Sequence, residues 1–223
     1  MSLITVKNLS ACYESRKVFE DVSFTVDEGD YLCIIGENGS GKTTLMKTIL
    51  GFDIKHTGTI AFNGFARREI GWLPQKTQHQ KDFPASVGEV VMSGFAGNGF
   101  LGFRYSKSQK RQAINNIKLL GLESIVEKSF SELSGGQQQK VLLCRALCAA
   151  KKVLLLDEPV TSLDEFAAEE MYSIIKRLND SGLAVIMISH DINRALADAK
   201  HILSLSNNGF FFGTRQEYVK GDI

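Results

Sequence analysis

The chain has 223 residues, of which 43% are hydrophobic and 23% charged, and carries a formal net charge of +1. That length can bury a sizeable core in one domain, or in a domain with a subdomain, and the near-zero charge supplies no general drive toward nucleic acid or anionic lipid. No apolar run reaches the ~18–20 residues of a bilayer-spanning helix, and the opening MSLITVKNLSACY reads as a strand rather than a secretion signal, so a soluble, intracellular chain is expected.

Residues 3–35 alternate apolar stretches with turn signals, and LITVKNL, FEDVSFTV and DYLCIIG are predicted strands. The third runs directly into GENGSGKTT, Gly36 to Thr44, and then into the helical TTLMKTIL. This is G-x-x-x-x-G-K-[ST] in its strand–loop–helix setting, which predicts a phosphate-binding loop. Gly36, Gly39 and Gly41 allow the tight turns, with Glu37, Asn38 and Ser40 between them, so that successive N–H groups can surround phosphates. Lys42 supplies a point charge, Thr43 a hydroxyl for Mg²⁺, and Thr44 extends the cradle at the helix start. The pattern predicts nucleotide binding without separating an ATPase from a GTPase or a small-molecule kinase.

From about Ser86 to Ala150 the character changes. SKSQKRQAINNIKLLGL has helical spacing at Ala113, Ile114, Ile117, Leu120 and Leu122, with a cap-like Ser106 ahead of it. A second helical run, QQQKVLLCRALCAA, follows the turn at Ser134–Gly135–Gly136. Cys144 and Cys148 share one helix face there, but with Cys12 and Cys33 they show neither disulfide density nor zinc-site spacing, so they read as packing.

Strand–helix alternation returns in the last third. KVLLLDE and LAVIMISH are continuous apolar runs, as in strands covered on both faces of a parallel sheet. Between them EFAAEEMYSIIKRLNDSG is a predicted crossover helix, with Met171, Ile174, Ile175 and Leu178 inward. The expected organisation is a single α/β domain whose core covers 1–85 and 151–223, with 86–150 an inserted helical block.

Ligands of open parallel sheets bind beyond the carboxyl ends of the strands. One predicted strand ends in the phosphate loop, one in Asp157 and Glu158, and one in Ser189 and His190. Asp157 suits a hold on Mg²⁺ and Glu158 the orientation or deprotonation of an attacking water; His190 suits a γ-phosphate contact. Two adjacent acids before Pro159 could also form a solvated turn, and a lone histidine is more often structural. Gln75, in GWLPQK, says little by itself.

Together these pieces resemble the ATP-binding cassette family over essentially the whole chain. GENGSGKTT is similar to its phosphate loop, LSGGQ (Leu133 to Gln137) to its signature motif, and VLLLDEP to its strand carrying the Mg²⁺ acid and catalytic glutamate. The resemblance implies a P-loop, RecA-like α/β core with an N-terminal antiparallel β subdomain and an inserted helical subdomain. It assigns adenine stacking to Tyr13, a Mg²⁺-sensing role to Gln75, a dimer-contact loop to Ser162–Asp164 and a switch role to His190. Val160 and Lys140 depart from the family's commoner Thr and Arg. The resemblance also implies ATP with Mg²⁺ as the reacting pair, and a head-to-tail homodimer. In that dimer Ser134, Gly135, Gly136 and Gln137 of one chain meet the ATP held by Lys42 of the other. A single helix N-terminus contributes only about 0.3–1 kcal/mol toward an exposed anion, so the signature turn makes sense as half of such a composite site.

An integral membrane permease is the implied partner, with an extracytoplasmic binding protein acting through it and the ATPase lying on the cytoplasmic face of the membrane. The stretch after Gln75 places Phe83, Phe95, Phe100, Leu101 and Phe103 in a loop-prone, glycine-rich region that reads as the docking surface. Its FP, EVVMSG and RYSKSQ elements resemble the metal-ion importer branch, implying zinc, manganese or iron(II) as cargo. Importers of iron chelates or cobalamin-like cargo share much of this pattern. Soluble mechanoenzymes of the family usually carry two cassettes or long coiled coils, which this sequence lacks, and no Asn-Lys-x-Asp motif supports a GTPase. His79 reads as a solvated loop residue rather than a metal ligand.

Overall fold

A computed structural model describes residues 1–13, 16–75, 84–96, 105–206 and 209–221. The chain divides into two compact units, one of residues 1–67 with 178–223 and one of residues 68–177.

The first unit contains two sheets. β1 (Ser2–Tyr13), β2 (Arg16–Asp27) and β4 (Lys55–Phe62) form an antiparallel sheet in the order β2-β1-β4. The apolar alternation along β1 slips by one residue between Val6 and Leu9, both of which are buried. A bulge absorbs the slip: the pairing with β2 shifts there, and Asn8 adopts φ 49°. The second sheet is built on β3 (Tyr31–Gly36), which pairs in parallel with β7 (Ala184–Ile188) on one side and β8 (His201–Ser206) on the other. β9 (Gly209–Thr214) closes the edge antiparallel to β8. Residues 31–35 and 184–188 are all buried, as the unbroken apolar runs require. Helices α1 (Lys42–Leu50), α6 (Ile192–Asp198) and α7 (Arg215–Lys220) complete this unit.

Two buried polar groups fix where these strands begin. Asn179 Nδ2 donates to the carbonyls of Gly29 (3.2 Å), Asp30 (2.8 Å) and Leu183 (2.9 Å), just ahead of β3 and β7. The buried Asp30 carboxylate meets His201 Nδ1 at 2.8 Å, at the first residue of β8. The carboxyl ends of β3 and β7 lead to the phosphate loop and to His190, so these hydrogen bonds lie at the opposite end of the strands from those residues.

The second unit pairs β5 (Ile70–Leu73) in parallel with β6 (Val153–Asp157). Around them lie α2 (Val87–Met92), α3 (Lys107–Leu119) and α4 (Gly135–Ala149). α5 (Glu165–Asp180) leads from this unit into the first, and Met171, Ile174, Ile175 and Leu178 are buried along it. Helix α4 approaches β5 closely at Gly71, where a Cβ would come within 2.5 Å of the Ala146 carbonyl oxygen. Reciprocal capping boxes start α2 (Ser86 with Glu89), α3 (Ser106 with Gln109) and α4 (Ser134 with Gln137).

Two expectations need correction. Ile114 is 52% exposed, because Ala113, Ile117 and Leu120 already fill the inward stripe of α3 and its end. Phe95 is not a surface residue: it sits in a 3₁₀ turn after α2, is buried, and packs against Tyr105 with ring centroids 6.4 Å apart. Phe83, Phe100, Leu101, Phe103 and His79 lie outside the described residues. Cys33, Cys144 and Cys148 are buried, and burial pushes the Cys33 thiol up to about 12. Among the described residues no helix is long and apolar enough to cross a membrane.

The α/β class read from the sequence is the class observed. The antiparallel N-terminal sheet and the helical run before β6 stand where the resemblance puts them.

Candidate active site

In the first unit β3 ends at Gly36 and the chain reaches α1 through residues 37–41. Gly36 (φ 146°), Gly39 (φ 84°) and Gly41 (φ 95°) all occupy backbone regions that strain an L side chain. At Gly36 space excludes a side chain as well, since a Cβ would overlap the carbonyl oxygen of Leu205 and lie 2.7 Å from Ser40 Oγ. The loop therefore takes its shape from both conformation and close approach.

Helix α1 begins differently from its neighbours. Gly41 provides no side-chain cap and the first turn holds no acid, whereas α2, α3, α4 and α7 start with capping boxes. Its leading N–H groups and the positive end of its dipole are left to an external anion. Ser40 adds a second sign: its hydroxyl is buried with no hydrogen-bond partner, an arrangement that costs about 1–3 kcal/mol unless a ligand satisfies it. Lys42 Nζ donates to the carbonyls of Gly36 and Glu37, both at 2.8 Å, which ties the ammonium to its own loop. Thr43 and Thr44 are half-buried in the first turn. Glu37 and Asn38 lie exposed on the loop. The same unit contains Tyr13, the last residue of β1, whose side chain lies outside the described residues, and His190, exposed two residues beyond β7.

In the second unit β6 delivers Asp157 and Glu158, both buried. Glu158 has φ 51°, a left-handed conformation that costs a non-glycine residue roughly 1–2 kcal/mol and recurs at functional positions. Two donors reach its carboxylate at the same atom. Gln75 Nε2 is 2.8 Å and Thr161 Oγ1 is 3.1 Å from Glu158 Oε2.

The signature turn is part of a helix. α4 begins at Gly135, with Ser134 as its N-cap: Ser134 Oγ accepts from Gln137 N–H at 3.3 Å, and Gln137 Oε1 accepts from Ser134 N–H at 3.1 Å. Accepting that bond leaves the Ser134 O–H hydrogen able to donate. Gly136 packs against the start of α5, where a Cβ would lie 3.2 Å from Ala167 Cβ. Asp164 caps α5, its Oδ1 accepting from Ala167 N–H at 2.9 Å. Ser134, Gly136, Lys140, Asp164 and Glu170 line one cavity of about 330 Å³, spanned by a Lys140–Glu170 ion pair.

Of the sequence-predicted residues, the first unit holds the phosphate loop with Lys42, and also Tyr13 and His190; the second holds Asp157, the Gln75–Glu158 pair, and the signature turn with Asp164. Thr161 and the Lys140–Glu170 pair were not singled out by the sequence. A hydroxyl three residues after an acid carries no distinctive pattern, and Lys140 and Glu170 are 30 residues apart on different helices.

A family model described as ABC transporter matches residues 19–161, from β2 through the phosphate loop, the signature turn and Glu158. The chain belongs to the ABC transporter family. Among curated relatives, the manganese transport system ATP-binding protein MntB of Bacillus subtilis is 34% identical over 214 residues, covering 94% of this chain and 86% of the relative. The zinc uptake system ATP-binding protein ZurA of Listeria innocua is 33% identical over 225 residues, covering 97% and 87%. The solved inward-facing structure of a metal-chelate type ABC transporter aligns with TM-score 0.86 at 28% identity, over 97% of this chain and 85% of that one. As an ABC ATP-binding subunit the chain binds ATP and is an ATPase.

Proposed function

We propose that this ABC ATPase is the energy-coupling subunit of an importer for a divalent metal ion, zinc, manganese or iron(II), in which ATP is closed between two copies of the chain. The observation that carries the catalytic part is Glu158, a buried carboxylate in a left-handed backbone whose Oε2 is gripped by Gln75. The cargo reading is supported by the manganese- and zinc-transport relatives.

In this reading the N–H groups from Glu37 to Thr44 bind the phosphates of ATP, with Lys42 on the β- and γ-phosphates and Tyr13 against the adenine. The hydroxyl of Thr43, the carboxylate of Asp157 and the amide oxygen of Gln75 form an all-oxygen donor set that fits Mg²⁺ rather than a softer metal. When bound, Mg²⁺ neutralises charge on the β- and γ-phosphates. Glu158 accepts the proton of the water that attacks the γ-phosphorus, His190 contacts the γ-phosphate, and the bond to the β-phosphate oxygen breaks to release phosphate and ADP.

Ser134, Gly135, Gly136 and Gln137 of the second chain face that same γ-phosphate, with Asp164 at the seam. The signature turn belongs to the helical subdomain, 86–150, inserted into the core. ATP joins the two chains and its hydrolysis lets them part. The stretch after Gln75 docks the membrane permease at the cytoplasmic face, and an extracytoplasmic binding protein delivers cargo to that permease. No nucleic-acid partner enters the cycle.

The test is Glu158→Gln. It keeps shape and removes the base, so ATP binding and the ATP-dependent dimer persist while turnover falls about 10²–10⁴-fold. Wild-type turnover in that variant would remove Glu158 from its role. Detergent pull-down separates the partner classes: recovery of a multi-span membrane protein supports transport, and recovery of ribosomes or DNA instead overturns it.

A further inference from the structure

The geometry points to Thr161 as a positioning residue for Glu158, acting together with Gln75 on a single carboxylate oxygen. The inference rests on the reading of Glu158 as the base. Three observations carry it.

First, the two donors converge on Oε2 from different directions in the chain. Gln75 lies two residues beyond β5, and Thr161 lies on the turn that leaves Glu158 itself. Second, that turn is closed by its own backbone, with Thr161 N–H donating to Glu158 C=O at 3.3 Å, so hydroxyl and carboxylate are carried on the same closed turn. Third, Glu158 sits at φ 51°, where its own backbone does not favour the conformation it holds. A buried carboxylate in that position depends on outside donors for its direction, and these two are placed to supply it.

The two donors differ in what can remove them. The Thr161 hydroxyl is tethered to the same turn, whereas the Gln75 amide comes from a separate strand end and leaves Oε2 whenever that end moves. When Gln75 turns toward other ligands in the cycle, Thr161 keeps Oε2 directed and the other oxygen takes the water proton. Thr161 touches no reacting atom in this account; it acts through Glu158.

The experiment uses the full chain and the variants Thr161→Val, Thr161→Ser, Gln75→Ala and the double variant Thr161→Val/Gln75→Ala. Thr161 is exposed, so valine, which matches threonine in shape, leaves the fold intact. The expected result is a kcat lowered about 10-fold in Thr161→Val, the size of one lost hydrogen bond to a charged group. KM for ATP and ATP affinity stay within about 2-fold, because no binding contact is removed. Thr161→Ser restores the hydroxyl and the rate. Since both donors serve one oxygen, the double variant departs from the product of the single effects by more than about 2-fold.

Wild-type kcat in Thr161→Val, failure of serine to rescue, or a loss confined to KM would overturn the inference. So would strictly multiplicative effects in the double variant. Glu158→Gln separates the two levels of the argument. If it is inactive while Thr161→Val is normal, only the positioning role is lost; if it is fully active, the base assignment itself is wrong.

Discussion

Removing the side-chain amide of Asn179 tests how far its hydrogen bonds at the starts of β3 and β7 stabilise the chain. Asn179 is 7% exposed and donates to three carbonyls. The amide has two N–H groups, one of them shared between carbonyls, so two net hydrogen bonds at about 0.5–1.5 kcal/mol each give an upper range near 3 kcal/mol. Two acceptors keep another donor, however: Asp30 C=O also receives Val185 N–H at 2.8 Å, and Gly29 C=O receives Lys200 Nζ at 2.6 Å. The loss therefore falls hardest on Leu183 C=O, and Asn179→Ala is expected to cost about 2–3 kcal/mol, including the small void left behind. Urea unfolding followed by circular dichroism measures it as a lowered midpoint at unchanged slope, a shift of roughly 1 M for a slope of about 2–3 kcal/mol/M. Asn179→Asp keeps the shape but offers only acceptors to three carbonyl oxygens, so it is expected to be at least as damaging. A change below about 0.5 kcal/mol in the alanine variant, or an aspartate variant as stable as wild type, would refute the assignment of this stability to hydrogen bonding.

Gly36→Ala should lower ATP affinity at least about 10-fold in equilibrium binding, because a Cβ there overlaps the Leu205 carbonyl and the loop must move; unchanged affinity would show that the loop can shift without cost. His201→Ala strips a hydrogen-bonding partner from the buried Asp30 carboxylate and should destabilise the chain by about 1–3 kcal/mol in the same urea assay, and a loss under about 0.5 kcal/mol would deny the pair a structural role. The Thr214 backbone N–H first, and its hydroxyl second, hold the Glu217 carboxyl below its ordinary value of 4.5, and Ser86 does the same for Glu89. Carboxyls with lowered values in the folded state contribute stability above the unfolded value and lose it as pH falls through the folded one. Amide exchange in α7 should therefore accelerate as pH drops below about 4.5, once corrected for intrinsic rates, and Glu217→Gln should flatten that dependence; identical profiles for the two proteins would contradict the capping account.

What the sequence determined by itself was local in origin. The strand–loop–helix context of GENGSGKTT, the unbroken apolar runs of β3, β6 and β7, and the cap-like Ser106 ahead of a helical run are each contained in about a dozen neighbouring residues, and periodicity and turn chemistry act at that range. The family resemblance extended this to the order of the elements.

Tertiary structure decided what depends on partners far apart in sequence. Ile114 and Ile117 look alike by spacing, yet only the packing around α3 determines that Ile114 faces outward. Phe95 reads as a loop aromatic until Tyr105 and the elements around it cover the ring. Gln75 and Glu158 stand 83 positions apart, and their 2.8 Å contact, with Thr161 on the same oxygen, exists because β5 and β6 pair in parallel and end side by side. A side chain's chemistry is written in its residue type, but its direction and its neighbours are set by long-range pairing, which no short window of sequence contains.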